Sequence, residues 1–205
     1  MRIVICAAGL GSRLGLDVPK CLVPVGGKPI IHRQLEILTQ LASDIVVVAG
    51  FKFGQVVDSI GSFGVKVVCN ENYRTTSVVD SVRIGMTGAS EIVAVDGDVL
   101  FTAEDMNKLL NTSGDVVCIK DNISNDNPVY VTTDAHIQAF HRDKRSLTDR
   151  EWAGICKVPT AYFEVTDKYV YHVLERHLPI PYLVIDSVEI DNTEDLAEAN
   201  QWIRR

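Results

Sequence analysis

Three stretches of this chain hold residues whose types and spacing can do chemistry. The first, IVICAAGLGSRLGLDVPK at residues 3–20, runs a β-branched segment into a glycine-rich turn. Gly9 and Gly11 let backbone N–H groups approach a phosphate or a base closely, and Arg13 and Lys20 add two cations beside the same turn. The second, AVDGDVLF at residues 94–101, ends an apolar segment in Asp96 and Asp98. The third, SVEIDNTEDL at residues 187–196, ends another in Asp191. Carboxylates at buried strand ends are costly without a partner, and a metal ion is one. Mg²⁺ is usually held by one or two carboxylates together with substrate phosphates and water, which suits two aspartates, Asp96 or Asp98 and Asp191, brought together from distant strand ends.

Two familiar phosphate loops do not fit. The dinucleotide fingerprint needs a third glycine at position 14, where this chain has Leu14, and residues 15–19 interrupt the helix that would receive a pyrophosphate. A Walker loop needs Gly-Lys-Ser/Thr, which does not occur. The plain alternatives are a turn with solvated cations, and turn or N-cap roles for the aspartates. Both patterns occurring in one chain weigh against them.

The elements that must position these groups alternate. RIVICA (2–7), DIVVVA (44–49), VKVVC (65–69), EIVAVD (91–96) and DVVCIK (115–120) read as strands buried on both faces of a parallel sheet. Amphipathic stretches at about 28–41, 53–60, 75–87 and 103–110 read as helices between them, the last capped by Thr102 with Asp105 three residues on. This predicts a doubly wound, mostly parallel, Rossmann-like α/β sheet, with its ligand crevice at the carboxyl ends of the strands. After residue 120, PVYVTT, HIQAFHR and GICKVP predict shorter strands. A helix near 166–177, the segment LVIDSVEID, and a last helix at about 193–203 capped by Asn192 follow. The expectation is one domain over 1–205, with a nucleotide-binding half to about 120 and an acceptor-binding half, a small mixed-sheet extension, over about 121–205.

Composition narrows the class. A net charge of −7 opposes a general nucleic-acid binder but not a small anionic ligand, which needs only local cations. No apolar run approaches the roughly 20 residues of a membrane span. The N-terminal MRIVICAAGLGSR lacks a signal-peptide pattern, so the expectation is a cytoplasmic protein with no membrane partner. Cys6, Cys21, Cys69, Cys118 and Cys156 lack CxxC spacing, and Cys6, Cys69 and Cys118 close apolar runs as small buried hydrophobes. The five histidines show no ligand spacing.

AAGLGSRLGLDVPKCLVPVGGKPII resembles the signature of the nucleotidyltransferase superfamily that activates sugar phosphates and related alcohol phosphates. The resemblance implies a fold of the nucleotide-diphospho-sugar transferase type and an Mg²⁺-dependent transfer of a nucleoside monophosphate from an NTP to a phosphorylated small molecule. It implies that Arg13 holds the outer phosphates, that Lys20 contacts the α-phosphate, and that Ala7, Ala8, Gly9, Gly11 and Ser12 line base and phosphates. The family's two metal aspartates carry over to Asp98 and Asp191, with Asp96 a weaker third. DSVRIGM resembles the cytidylyltransferase form of the S-x-x-x-G segment and puts Ser81 at the ribose or base. The short spacing from Arg13 to Pro19-Lys20 is similar to cytidylyltransferases, including phosphocholine cytidylyltransferase-like proteins, so CTP is the favoured NTP. A non-catalytic nucleotide-binding regulator on the same fold is the rival; it predicts loss of Lys20 or a metal aspartate, and both are kept.

REWAGICKV (150–158) resembles the acceptor segment of phosphocholine-type relatives, which puts Glu151 and Trp152 forward as receivers of a quaternary ammonium. The plain reading makes Trp152 a packing residue. Only about a dozen residues separate the predicted helix near 166–177 from Asp191, fewer than such relatives often carry. That leaves open a polyol phosphate or sugar 1-phosphate acceptor, and a pocket completed by a second protomer in a homo-oligomer.

Overall fold

The structure, a computed structural model, describes residues 1–9, 11, 14–124, 127–146, 148–165 and 167–205. Strand β1 (Arg2–Ala7) leads through a loop and a short hairpin, β2 (Pro24–Val25) and β3 (Lys28–Pro29), into helix α1 (Ile30–Leu41). Then come β4 (Ile45–Ala49), α2 (Phe53–Ile60), β5 (Lys66–Cys69), α3 (Val78–Met86), β6 (Glu91–Asp96), β7 (Val99–Phe101), α4 (Ala103–Asn111) and β8 (Val116–Lys120). The second half adds β9 (Tyr130–Thr133), β10 (Ile137–His141), β11 (Arg150–Pro159), α5 (Val170–Glu175), β12 (Tyr182–Val184), β13 (Ser187–Glu189) and α6 (Thr193–Trp202).

The sheet runs β5-β4-β1-β6 in parallel, then continues through β11, which is antiparallel to both β6 and β8. Because side chains alternate along a strand, Ile3 and Ile5 of β1 face the layer of α1, α2 and α4, while Val4 faces α3. Both faces are covered, which is why these strands read as unbroken apolar runs. Among the described residues no helix is long and apolar enough to cross a membrane.

The doubly wound core and its extension are as expected, with three differences. GICKVP, expected as a short strand of the extension, instead enters the main sheet between β6 and β8. GICKVP is the end of a ten-residue strand whose interior is buried throughout, so it can fill a central position. The helix expected near 166–177 is confined to Val170–Glu175, preceded by a 3₁₀ turn at Thr160–Glu164 and extended backbone at Val165 and Tyr169. Cys69 is exposed rather than buried, since β5 is an edge strand; Cys118 is buried and Cys6 partly so, and all five thiols are free.

Strand β11 carries the feature that opens the second cavity described below. Arg150 and Glu151 pair with β9, whereas Ile155–Pro159 pair with β6 along the same edge. Between the two pairings lie Trp152, Ala153 and Gly154, and the register against β8 shifts across the same stretch. Gly154 sits at φ +72°, a left-handed conformation that glycine adopts freely. The strand forks there.

Candidate active site

The site forms where β1 and β6 end. The Asp96-Gly97-Asp98 turn is pressed against β1: Gly97 N–H donates to the Cys6 carbonyl at 3.0 Å, and a Cβ on Gly97 would lie 2.7 Å from that oxygen. From α1, the buried Gln34 amide donates to the carbonyls of Asp96 (2.9 Å) and Val99 (2.7 Å), bracketing the turn. Asp98 therefore leaves a backbone fixed on both sides.

Asp191 reaches the same place by pairing. β13 lies antiparallel to β7, with Glu189 opposite Val99, and Ile190 N–H donates to the Asp98 carbonyl at 3.1 Å. The capping box of α6 follows at once: Asp195 accepts from the backbone N–H of Asp191 (2.9 Å) and Asn192 (3.1 Å), and Asn192 caps in return. Lys20, at the head of a 3₁₀ turn, donates to Asp98 at 2.5 Å and also to Asp191. Burial by itself would lower the Lys20 pKa, but the charges of Asp98 and Asp191 outweigh it and hold the ammonium above its ordinary value.

Asp98, Glu189 and Asp191 each offer an oxygen within 4.8 Å of the others. Among the described residues, the buried Asp98 Oδ1 has no hydrogen-bond partner. An all-carboxylate trio with an orphaned oxygen fits a hard cation such as Mg²⁺, and these residues are the ones that would hold it. Burial, then Asp98 and Asp191, push the Glu189 carboxyl up to about 8. Burial, then Asp98, push Asp96 up as well.

Two cavities meet at the seam. The first, about 260 Å³, is lined by Ala8, Gly9, Asn70, Tyr73, Ser81 and Asp98, among others. Ser81 reaches it because Gly85, one turn later, lets α3 close on β1; a Cβ there would lie 2.4 Å from Val4 Cγ1. Ser81 Oγ accepts from Asn70 Nδ2 at 3.1 Å. The second cavity, about 250 Å³, opens at the fork of β11 and is lined by Arg142, Glu151, Trp152, Tyr169, Tyr171 and Asp191, among others. A small recess lined by Ala7, Gly9, Lys20 and Asp98 lies beside them. An ammonium and three carboxylates between two cavities suit two phosphate-bearing molecules held end to end.

A family model described as the MobA-like NTP transferase domain matches residues 3–153. The chain belongs to that family. This NTP transferase domain is 31% identical over 128 residues to the bifunctional protein GlmU of Neisseria meningitidis, across 62% of this chain and 28% of the relative. It is 38% identical over 102 residues to the choline-phosphate cytidylyltransferase of Streptococcus pneumoniae, across 48% of this chain and 44% of that protein. The chain thus spans less than half the length of these curated relatives. Among solved structures, the CTP:phosphocholine cytidylyltransferase of Streptococcus pneumoniae superposes with a TM-score of 0.82 at 20% identity, covering 98% of each chain. A putative glucose-1-phosphate thymidylyltransferase of Bacillus anthracis gives 0.83 at 20% identity, covering 100% of this chain and 95% of that one. The fold is that of the nucleotide-diphospho-sugar transferases.

Of the site residues expected in this transferase domain, Ala7, Ala8, Gly9, Lys20, Ser81, Asp98 and Asp191 line the cavities or the seam. Gly11 packs against Lys20, where a Cβ would lie 3.0 Å from Lys20 Cβ. Arg13 and Ser12 lie outside the described residues. Glu151 borders the second cavity, but its carboxylate accepts from Ser124 N–H at 2.6 Å and lies 3.5 Å from the buried Lys120 ammonium. Trp152 borders it too, packed edge-on against Phe140. Sequence reasoning missed Glu189, which enters the seam through the pairing of β13 with β7. It also missed Gln34, Arg142, Tyr169 and Tyr171.

Proposed function

We propose that this domain transfers a nucleoside monophosphate, CMP favoured, from an NTP to a phosphorylated small molecule in the cytoplasm, releasing pyrophosphate. The observation that carries the reading is the seam: Lys20, Asp98, Glu189 and Asp191 stand between two cavities of similar size. The first cavity, built from residues before 120, takes the nucleotide, and the second takes the acceptor, a phosphocholine, polyol phosphate or sugar 1-phosphate. Relatives named as choline-phosphate and 2-C-methyl-D-erythritol 4-phosphate cytidylyltransferases support CTP as the donor.

In the proposed step an acceptor phosphate oxygen bonds to the α-phosphorus. The bond from that phosphorus to the bridging oxygen breaks, and its electron pair leaves with pyrophosphate. The acceptor phosphate is already ionised near neutral pH, so no serine–histidine pair is needed. The protein's part is orientation and charge cancellation. Asp98 and Asp191, with Glu189, would hold Mg²⁺, which when bound supplies charge neutralisation at the phosphate oxygens. Lys20 then exchanges its carboxylate partners for the α-phosphate, and Arg13 steadies the leaving group.

Incubation with Mg²⁺, each NTP in turn and a panel of acceptor phosphates, followed by pyrophosphate assay, tests this. Release that needs one NTP and one acceptor supports it. Tight NTP binding with no release from any acceptor favours a nucleotide-binding regulator on the same fold.

A further inference from the structure

The second cavity carries a cation of its own. Arg142 arrives on the loop after β10, and its guanidinium lies over two stacked tyrosines, 5.2 Å from the Tyr171 ring and 5.6 Å from the Tyr169 ring. The rings themselves lie 5.4 Å apart at 17°. Arg142 Nη1 donates to the Asn127 carbonyl at 2.6 Å and Nε to the Tyr171 hydroxyl at 3.3 Å. Among the described residues, its Nη2 donates to no protein acceptor. The loop is itself anchored, because buried Asp149 accepts from the backbone N–H of Arg145 and Ser146 at 2.8 Å each.

A pocket for a quaternary ammonium needs open aromatic faces and an uncommitted carboxylate. Here the tyrosines already have a cation over them, Trp152 packs on Phe140, and Glu151 is engaged by Lys120 and Ser124. Asp191 and Glu189 belong to the seam where the acceptor's phosphate must sit. Beside the seam carboxylates, the cavity lining therefore presents a positive charge with an N–H donor that, among the described residues, has no protein acceptor. A trimethylammonium placed there would meet like charge; a hydroxyl oxygen would gain a charge-assisted hydrogen bond.

We propose that Arg142 is the specificity-determining residue of the acceptor pocket, selecting a phosphate whose far end is hydroxylated, a polyol or sugar phosphate, and excluding quaternary ammonium acceptors such as phosphocholine. The inference rests on the proposed nucleotidyl transfer and narrows its acceptor class. Arg142 touches the acceptor away from the reacting atoms, so its effect falls on acceptor KM.

The test uses the full chain with Mg²⁺ and CTP, comparing glycerol 3-phosphate and sugar 1-phosphates with phosphocholine. One charged hydrogen bond is worth enough to predict at least about a tenfold higher kcat/KM for a hydroxylated acceptor. Arg142→Ala should remove most of that advantage through acceptor KM, raise phosphocholine use and leave the KM for CTP unchanged, the last also reporting an intact fold. Arg142→Gln, which keeps a donor without the charge, should fall between. Preference of the wild-type protein for phosphocholine, or indifference of acceptor KM to both substitutions, overturns the assignment while leaving nucleotidyl transfer standing. If no acceptor turns over, calorimetry in the presence of a non-hydrolysable CTP analogue decides. Tighter glycerol 3-phosphate than phosphocholine supports the proposal, while the reverse order, or binding of neither, sinks it. Absence of NTP binding sinks the underlying reading instead.

Discussion

Asp98 and Asp191 accept hydrogen bonds from one ammonium, that of Lys20, although they come from opposite halves of the chain. The link between them is a short ladder: β7 and β13 pair over three residues, and Ile190 N–H closes onto the Asp98 carbonyl. A lysine that neutralises both carboxylates in the free protein competes with a cation for them. Lys20→Ala should therefore tighten Mn²⁺ or Mg²⁺ binding in the absence of nucleotide. The same change should slow turnover at least about a hundredfold, roughly 2.7 kcal/mol. Calorimetric ion binding and single-turnover rates check the two halves; near-full turnover removes Lys20 from the chemistry.

Gln34 holds the aspartate turn from behind. Gln34→Leu fills similar space but leaves the Asp96 and Val99 carbonyls unpaired, at a cost of about 1–3 kcal/mol in stability. It should also raise the Mg²⁺ concentration needed for half-maximal rate while the KM for NTP stays close to wild type. A variant merely less stable, with an unchanged ion requirement, would show that the brackets do not position Asp98.

Gly154 makes the fork in β11. A Cβ there would stand 2.9 Å from Asp96 Oδ2, on a backbone with φ +72°. Gly154→Ala should cost about 1–2 kcal/mol for the left-handed backbone alone. It should also weaken acceptor binding more than NTP binding, because the fork opens the second cavity. Equal effects on both substrates would contradict that division.

Asp149 gives a pH signature. Burial would raise its pKa, but the backbone N–H groups of Arg145 and Ser146, with His141 nearby, bring it below the usual carboxylate value. The folded value lies below the unfolded one, so its stabilisation is present above about pH 3.9 and is lost as pH falls through the folded pKa. Melting temperatures from pH 6 down to 2.5 should show a steeper acid decline in the wild type than in Asp149→Asn. Parallel curves would mean that this carboxylate does not tie the Arg142 loop.

The parallel core was legible because β1, β4 and β6 are buried on both faces and so carry unbroken apolar runs. Thr102 and Asn192 announced their helices because capping is a local interaction. β11 was harder: its ten residues mix Arg150, Glu151 and Lys157 into a buried strand, charges tolerated only because partners elsewhere in the fold meet them. Lys20, Asp98 and Asp191 were found from their motifs. Glu189 was not, since its role depends on a three-residue register that no local spacing encodes. Gln34 looked like an ordinary helix residue, although it shares the buried i, i+4 row of Ile30 and Leu38. Arg142 and the two tyrosines meet only through the folded extension.

Product formation tests nucleotidyl transfer at the seam most directly. The wild-type protein, Asp98→Asn and Asp191→Asn would each be incubated with Mg²⁺, CTP and a hydroxylated acceptor phosphate, and the products weighed by mass spectrometry. The wild type should give a CDP-linked acceptor and pyrophosphate in equal amounts. Both variants should lose at least about two orders of magnitude in rate while still binding CTP. Undiminished product from either aspartate variant would contradict transfer at the seam.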